Sequence, residues 1–122
     1  MHYKKVLEMQ SEELIEWMLK EFAIEIPQAI LTIEDMEEAG KILIKLTNYY
    51  SYLCALLSFA KINARAKKRE KDKEAYEDAI DKREIIQNFT DCIKQKYTAV
   101  SRAVTIHIEN NQELRMNSSG MR

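Results

Sequence analysis

Seven basic side chains lie within thirteen residues near the middle of the chain, and phosphate binding is the chemistry that they share. Closely spaced cations neutralise the phosphates of a nucleic acid and release its counterions, which gives a salt-sensitive affinity that does not depend on base sequence. Tyr76 follows them and offers a ring on which a base can stack. We predict that this stretch binds nucleic acid. The alternative is that these charges only keep the end of a helix solvated, and it explains the same residues equally well. The predicted residues are Lys61, Arg65, Lys67, Lys68, Arg69, Lys71, Lys73 and Tyr76.

A second and weaker group of positive charges lies farther along the chain. It consists of Lys94, Lys96 and Arg102, with Tyr97 among them. This group also combines cations with an aromatic ring, so a strand bound at the first group could continue onto it. We expect a secondary basic patch that extends the binding track.

The chain offers few residues for catalysis. It has two Gly and two His, and it contains no glycine-rich phosphate loop, no His-Glu-x-x-His pair and no combination of Ser, His and Asp suited to nucleophilic catalysis. The one suggestive pattern is Glu13-x-x-Glu16 followed by Glu34-x-x-Glu37. Four such carboxylates resemble the magnesium site of all-α nucleotide pyrophosphatases, which have Asp at the last position. We expect no catalytic residue, metal or cofactor, with a magnesium-dependent pyrophosphatase as an alternative.

The amino-terminal part is predicted to be one helix followed by a connector. Ser11 is a suitable N-cap, and acidic residues in the turn after it favour the positive end of the helix dipole. Apolar residues then recur at helical spacing until Pro27 interrupts the pattern. We predict a helix over about residues 12–23 and an extended connector over 24–31.

Two long helices are predicted from Thr32 onward. Thr32 and Asp35 form a capping arrangement, and a heptad seam of apolar residues runs over 36–64. The seam ends at the basic stretch, and a second apolar stripe runs out of phase over 79–114. An antiparallel turn over 71–74 explains both the polar gap and the change of phase, and a single unbroken helix is the alternative.

The predicted fold is all-α, with a short N-terminal helix followed by a long antiparallel helical hairpin similar to a coiled coil. Residues 1–31 form the acidic helix and connector, 32–116 the hairpin, and 117–122 a disordered tail. A bare two-helix hairpin buries too little apolar surface to be stable alone. We therefore expect a homo-oligomer.

The expected location is the cytoplasm. The sequence has no run of about 20 apolar residues that could cross a bilayer, and no secretory signal is visible at its amino end. We therefore expect no membrane partner.

Two short sequences carry a resemblance to a known family. Asn63-Ala64-Arg65 is similar to the Lys-Ala-Arg element in the DNA-binding stretch of the recombination mediator proteins of large phages, the UvsY type, with Asn63 in place of the first cation. The run Tyr49-Tyr50-Ser51-Tyr52-Leu53 is similar to the aromatic run upstream of that element. The likeness covers about residues 34–107. It implies a phage protein of DNA recombination that binds single-stranded DNA, with Arg65 as the carried-over residue. It also implies contacts with a recombinase and a single-strand binding protein in a ring-like oligomer, inside the host cytoplasm.

The charge distribution favours a second function as well. From Glu8 to Glu38, ten acidic residues stand against the single base Lys20, although the net charge of the chain is only -1. An acidic arm of this kind can imitate nucleic acid for a basic partner. The alternative is a phage-encoded protein-interaction module, or an inhibitor of a host nuclease or defence complex, that acts through this arm.

Overall fold

The computed structural model describes residues 2–120, and side chains as far as Met116. Four helices follow one another: α1 Tyr3–Glu8, α2 Ser11–Glu21, α3 Ile33–Arg69 and α4 Lys73–Gly120. The described residues contain no strand, so the all-α prediction is confirmed. Of the tail predicted over 117–122, residues 121 and 122 lie outside the described residues, and α4 is described as far as Gly120.

The two long helices, α3 and α4, pack against each other and form a hairpin-like pair. Both contribute buried residues at intervals of seven, which is the spacing of a coiled-coil seam. The buried heptad positions are Ala39, Leu46, Leu53 and Ala60 on α3, and Ala79, Ile86, Ile93 and Val100 on α4. The apolar periodicity of the sequence therefore identified the faces that form the core.

Leu114, the last residue of the predicted second stripe, is not part of this core. It is exposed, because α3 begins only at Ile33 and the final turns of α4 extend past that point. His107 shows where α4 passes the residues just before α3, since its Nδ1 lies 2.9 Å from the carbonyl oxygen of Ile30.

The chain leaves the helical conformation between Arg69 and Lys73, close to the turn predicted over 71–74. Lys71 adopts a left-handed conformation with φ of 59°, and its amide donates to the carbonyl of Lys68 at 3.3 Å. Asp72 then caps α4, because its Oδ1 accepts from the amide of Ala75 at 3.2 Å. The connection between the long helices is therefore only three residues long.

The start of α3 is a capping box, as the sequence predicts. Thr32 Oγ1 accepts from the amide of Asp35 at 3.0 Å. In return, Asp35 Oδ2 accepts from the amides of Leu31 at 3.0 Å and Thr32 at 3.1 Å. Because these bonds favour the carboxylate, with the Leu31 amide contributing most, the pKa of Asp35 lies below its ordinary value of 3.8.

The amino-terminal part differs from the prediction in two ways. An additional helix, α1, precedes α2, and its Val6 is fully buried. Ser11 is the first residue of α2 and not its cap; the cap position is Gln10, which makes no side-chain capping bond. The core contributions of α2 are Leu14 and Met18.

Three side chains of α4 fasten the amino-terminal part by its backbone. Lys82 Nζ donates to the carbonyl of Leu7 at 2.7 Å, and Lys96 Nζ donates to that of Ile24 at 3.2 Å. His107 Nδ1 donates to the carbonyl of Ile30. The three residues are 14 and 11 positions apart, spacings that return to nearly the same side of an α-helix. Residues 2–31 therefore run along one side of α4, and α1 lies nearest the turn.

Among the described residues, no helix combines the length and the apolar character that a bilayer span needs.

Candidate nucleic-acid interface

The predicted basic stretch forms the turn end of the α3/α4 pair. It comprises the last turns of α3, the turn itself and the first residues of α4. Six of its seven cations are exposed, and Lys67 is half-buried. We call this end of the molecule the tip and define it by Lys61, Arg65, Lys67, Lys68, Arg69, Lys71, Lys73 and Tyr76.

The cations of the tip point in more than one direction. Lys61, Arg65 and Lys68 are separated by four and three residues along α3, so they form a row on one side of the helix. Arg69 lies beside this row, whereas Lys67 lies on a different side. The row of three gives a strand of nucleic acid a line of charges to follow.

Carboxylates neutralise little of this charge. Within the part of the chain whose side chains are described, the ion pairs are Lys67 with Glu70, at 3.4 Å between Nζ and Oε2, and Lys82 with Asp78 at 2.9 Å. The first of these lies at the tip and is solvent-exposed, so it contributes little stability. The other six tip cations make no ion pair in the described structure and remain available to phosphates.

Tyr76 lies beside four of the lysines. A shallow concavity of about 190 Å³ at the very end of the tip is lined by Lys67, Lys68, Lys71, Asp72, Lys73 and Tyr76. Asp72 has its carboxylate engaged as the cap of α4. The predicted combination of cations and one aromatic ring is therefore present in a single surface depression.

The residues of the predicted secondary basic patch have different surroundings in the structure. Tyr97 and Arg102 line a shallow groove of about 340 Å³ on α4, and Lys94 is exposed nearby in sequence. Lys96 has a structural contact, because its partly buried Nζ donates to the carbonyl of Ile24. The patch begins about 30 Å along α4 from the tip, at 1.5 Å per residue. It is therefore separate from the tip rather than continuous with it.

A wider groove beside the tip was not predicted from the sequence. It lies between α1, the last turns of α3 and the first turns of α4, has a volume of about 730 Å³, and includes Tyr3, Lys4, Phe59, Ile62, Asn63 and Lys67 in its lining. The available signal was the spacing of Tyr3, Val6 and Leu7, which is the spacing of one short helical face. We call it the α1 groove.

The four carboxylates of the pyrophosphatase pattern do not form a metal site. Glu13 and Glu16 lie on α2, Glu34 and Glu37 lie in the first turns of α3, and all four are exposed. In the described part of the chain, no group of three or more His, Cys, Asp or Glu residues could hold a metal ion. The structure therefore gives the pyrophosphatase alternative no support.

Comparison with known proteins adds no relative. No protein-family model matches the chain, and no curated protein or solved structure shows significant similarity to it.

Proposed function

We propose that this protein is a non-enzymatic accessory protein that binds single-stranded nucleic acid through the tip, in the manner of a phage recombination mediator. The observation that carries the proposal is the set of six tip cations that make no ion pair within the described residues. Unpaired cations held on a helix end attract phosphates strongly because they release counterions from the nucleic acid without first breaking internal contacts.

The shape of the α3/α4 pair supports this role. The 37 residues of α3 extend about 55 Å at 1.5 Å per residue, so the tip stands well away from the far end of the molecule. The ring of Tyr76 beside four lysines favours a single strand, whose unpaired bases can stack on an aromatic side chain.

Self-association belongs to the same proposal. The end of the molecule opposite the tip exposes large apolar side chains, which we call the far-end patch and define by Leu31, Ile33, Leu114 and Met116. Burying this patch between copies would leave every tip accessible, which suits a homo-oligomer that presents several tips to one strand. Contacts with a recombinase, and residence in the cytoplasm of a phage-infected host, complete the proposed role.

The test is a salt series with a fluorescent oligonucleotide. We expect salt-dependent binding by the unaltered protein, and weaker binding when Lys61, Arg65 and Lys68 are all changed to Glu. Each lost phosphate contact reduces the magnitude of the negative slope of log K against log salt by about 0.7 for a single strand. The slope of the triple variant should therefore be smaller in magnitude by about 2.

The matched control reverses three exposed bases outside the tip and outside the far-end patch, Lys20, Lys41 and Lys45, and so changes the net charge by the same amount. It should bind almost as the unaltered protein does, because its charges lie far from the tip. Two results would contradict the proposed function. One is an equal loss of affinity for the oligonucleotide in both triple variants, and the other is no binding by the unaltered protein at low salt.

A second candidate function uses the acidic arm. The outer side of α2 exposes Glu12, Glu13 and Glu16 together with Leu19, which is 60% exposed, and this combination suits a basic protein with an apolar contact. The candidate is a phage-encoded protein-interaction module or an inhibitor of a host nuclease or defence complex. Absence of oligonucleotide binding, with capture of a basic partner that is lost when these acids are changed to Lys, would favour it.

A further inference from the structure

Three aromatic rings form a short stack that ends beside the tip. The ring centroids of Tyr52 and Tyr3 are 5.1 Å apart with an interplanar angle of 34°, and those of Tyr3 and Phe59 are 4.9 Å apart at 25°. Such spacings are those of offset aromatic stacking. Tyr52 and Tyr3 are half-buried, whereas Phe59, the last ring of the stack, is 47% exposed. The stack therefore presents an accessible ring to the solvent.

The exposed ring lies in the α1 groove, which has the size and the charges of a ligand site. Its volume of about 730 Å³ is within the range of small-molecule pockets. Lys4 and Lys67 stand in its lining, and Asn63 adds an amide that can donate and accept hydrogen bonds.

Two acids also belong to the lining of this groove. Asp78 is paired with Lys82, which leaves Glu8 as the acid without an ion pair in the described structure. The lining holds three lysines, Lys4, Lys67 and Lys82, against these two acids, so its charge is positive overall. An apolar, aromatic surface with this charge complements a base attached to a phosphate chain.

We propose that the α1 groove holds one unpaired nucleobase of the strand bound at the tip, stacked on the exposed face of Phe59. The site rests on the proposed function, because the strand must first be held by the tip cations. Lys4 contacts the phosphate on one side of the base, Lys67 exchanges its exposed pair with Glu70 for the phosphate on the other side, and Asn63 bonds to the edge of the base. Because the bases of a duplex remain paired and stacked on one another, this site makes the protein prefer single strands.

The test compares an oligothymidine with an abasic strand of equal length, both carrying fluorescein. We expect Phe59→Ala to bind the oligothymidine roughly 5- to 150-fold more weakly, the range that corresponds to one base stacked on an aromatic side chain. Phe59→Tyr keeps a ring and should bind within about twofold of the unaltered protein. The abasic strand should bind the unaltered protein and Phe59→Ala equally, because it offers phosphates but no base.

The controls separate this site from the fold and from the tip. Ile44→Ala removes a still more exposed apolar side chain nearer the other end of α3 and should leave binding unchanged. If thermal melting shows that Phe59→Ala is unfolded, Phe59→Leu replaces it, since leucine fills space but cannot stack.

Two results distinguish a failure of the base site from a failure of the proposed function of the tip. If the variants without a ring bind oligothymidine as tightly as the unaltered protein while the salt dependence remains, the base site is wrong and the function of the tip stands. If the unaltered protein binds neither strand, both proposals are wrong. A Phe59→Ala variant that changes only the sedimentation of the protein would assign the groove to a second copy of the chain and overturn the base site.

Discussion

Lys71 has a backbone conformation that favours glycine. Its φ of 59° places a side-chain-bearing residue in the left-handed region, at the position after the C-cap where helices commonly have Gly. Retaining lysine there keeps a cation at the tip at a cost to folding.

Replacing Lys71 with Gly should stabilise the fold. We expect the free energy of unfolding to rise by about 1 kcal/mol, because Gly adopts positive φ without a Cβ clash. Urea denaturation measures the change. Lys71→Ala removes the same charge but keeps the Cβ atom, so its stability should stay within about 0.5 kcal/mol of the original. Equal stability of the Gly and Ala variants would show that the turn is not strained.

Asp35 should make stability depend on pH in the acid range. Its folded pKa lies below 3.8, so the contribution of the carboxylate is fully present above that pH and is lost as the pH falls through the folded pKa. Asp35→Asn keeps an acceptor oxygen without the charge. We expect the variant to be less stable than the original at pH 6, with the difference shrinking below about pH 4. Urea unfolding between pH 3 and pH 7 measures this, and a difference that is constant with pH would contradict the assignment.

At the scale of the elements, the sequence predicted the two long helices and α2, and it missed α1. The heptad positions of α3 and α4 became the buried seam because each helix is long enough for its apolar period to be unambiguous. The six residues of α1 are too few to show such a period, and a helix of that length forms only when it packs on others. The start of α2 was misplaced by one residue, which is the ordinary uncertainty of a helix boundary.

One lysine of α4 adds a hydrogen bond to the apolar contacts that attach α1. Lys82 is 7% exposed, and its Nζ donates to the carbonyl of Leu7. Lys82→Met keeps the apolar stem but leaves that carbonyl without its partner, which should lower the free energy of unfolding by about 1–2 kcal/mol. Hydrogen exchange should then be faster in α1 than in α3.

The control for this change is Lys94→Met, which removes an exposed lysine from the same helix. Its stability and hydrogen exchange should match those of the original protein, because the side chain of Lys94 makes no hydrogen bond or ion pair in the described structure, and its carbonyl, which accepts from Thr98 Oγ1, is unchanged. An equal loss of stability in both variants would show that the contact with Leu7 does not hold α1.

Considering the whole molecule, the sequence identified the residues of the candidate interface but not their arrangement. Because the basic residues are contiguous in the sequence and the chain reverses direction there, they must lie together at the turn between the long helices. The tip was therefore predictable from the charges and from the change of phase of the apolar stripe. The role of Lys96 was not, because a lysine that buries its stem and donates to a distant carbonyl looks in the sequence like any surface lysine. The α1 groove depends on α1, which is 50 residues or more away from Phe59 in the chain. No local sequence pattern predicts contact between two segments so far apart.

Self-association through the far-end patch can be tested on the intact chain. We expect sedimentation velocity at micromolar concentration to show a species larger than a monomer. Changing both Ile33 and Leu114 to Glu should shift it to a smaller species, because each introduces a charge into an apolar contact. Ile44→Glu places the same charge on an exposed apolar residue outside the patch and should have no effect. A well-folded monomer of the unaltered chain would contradict the oligomer.

The fastening of residues 2–31 along α4 has an evolutionary consequence. Lys82, Lys96 and His107 bond to backbone oxygens, which every amino acid possesses, rather than to particular side chains. Changes of side chain at Leu7, Ile24 or Ile30 would therefore leave these acceptor oxygens in place, whereas loss of a donor on α4 could not be repaired by a new side chain in the same segment. In diverging descendants of this gene, the three donor positions should change more slowly than the residues that they hold.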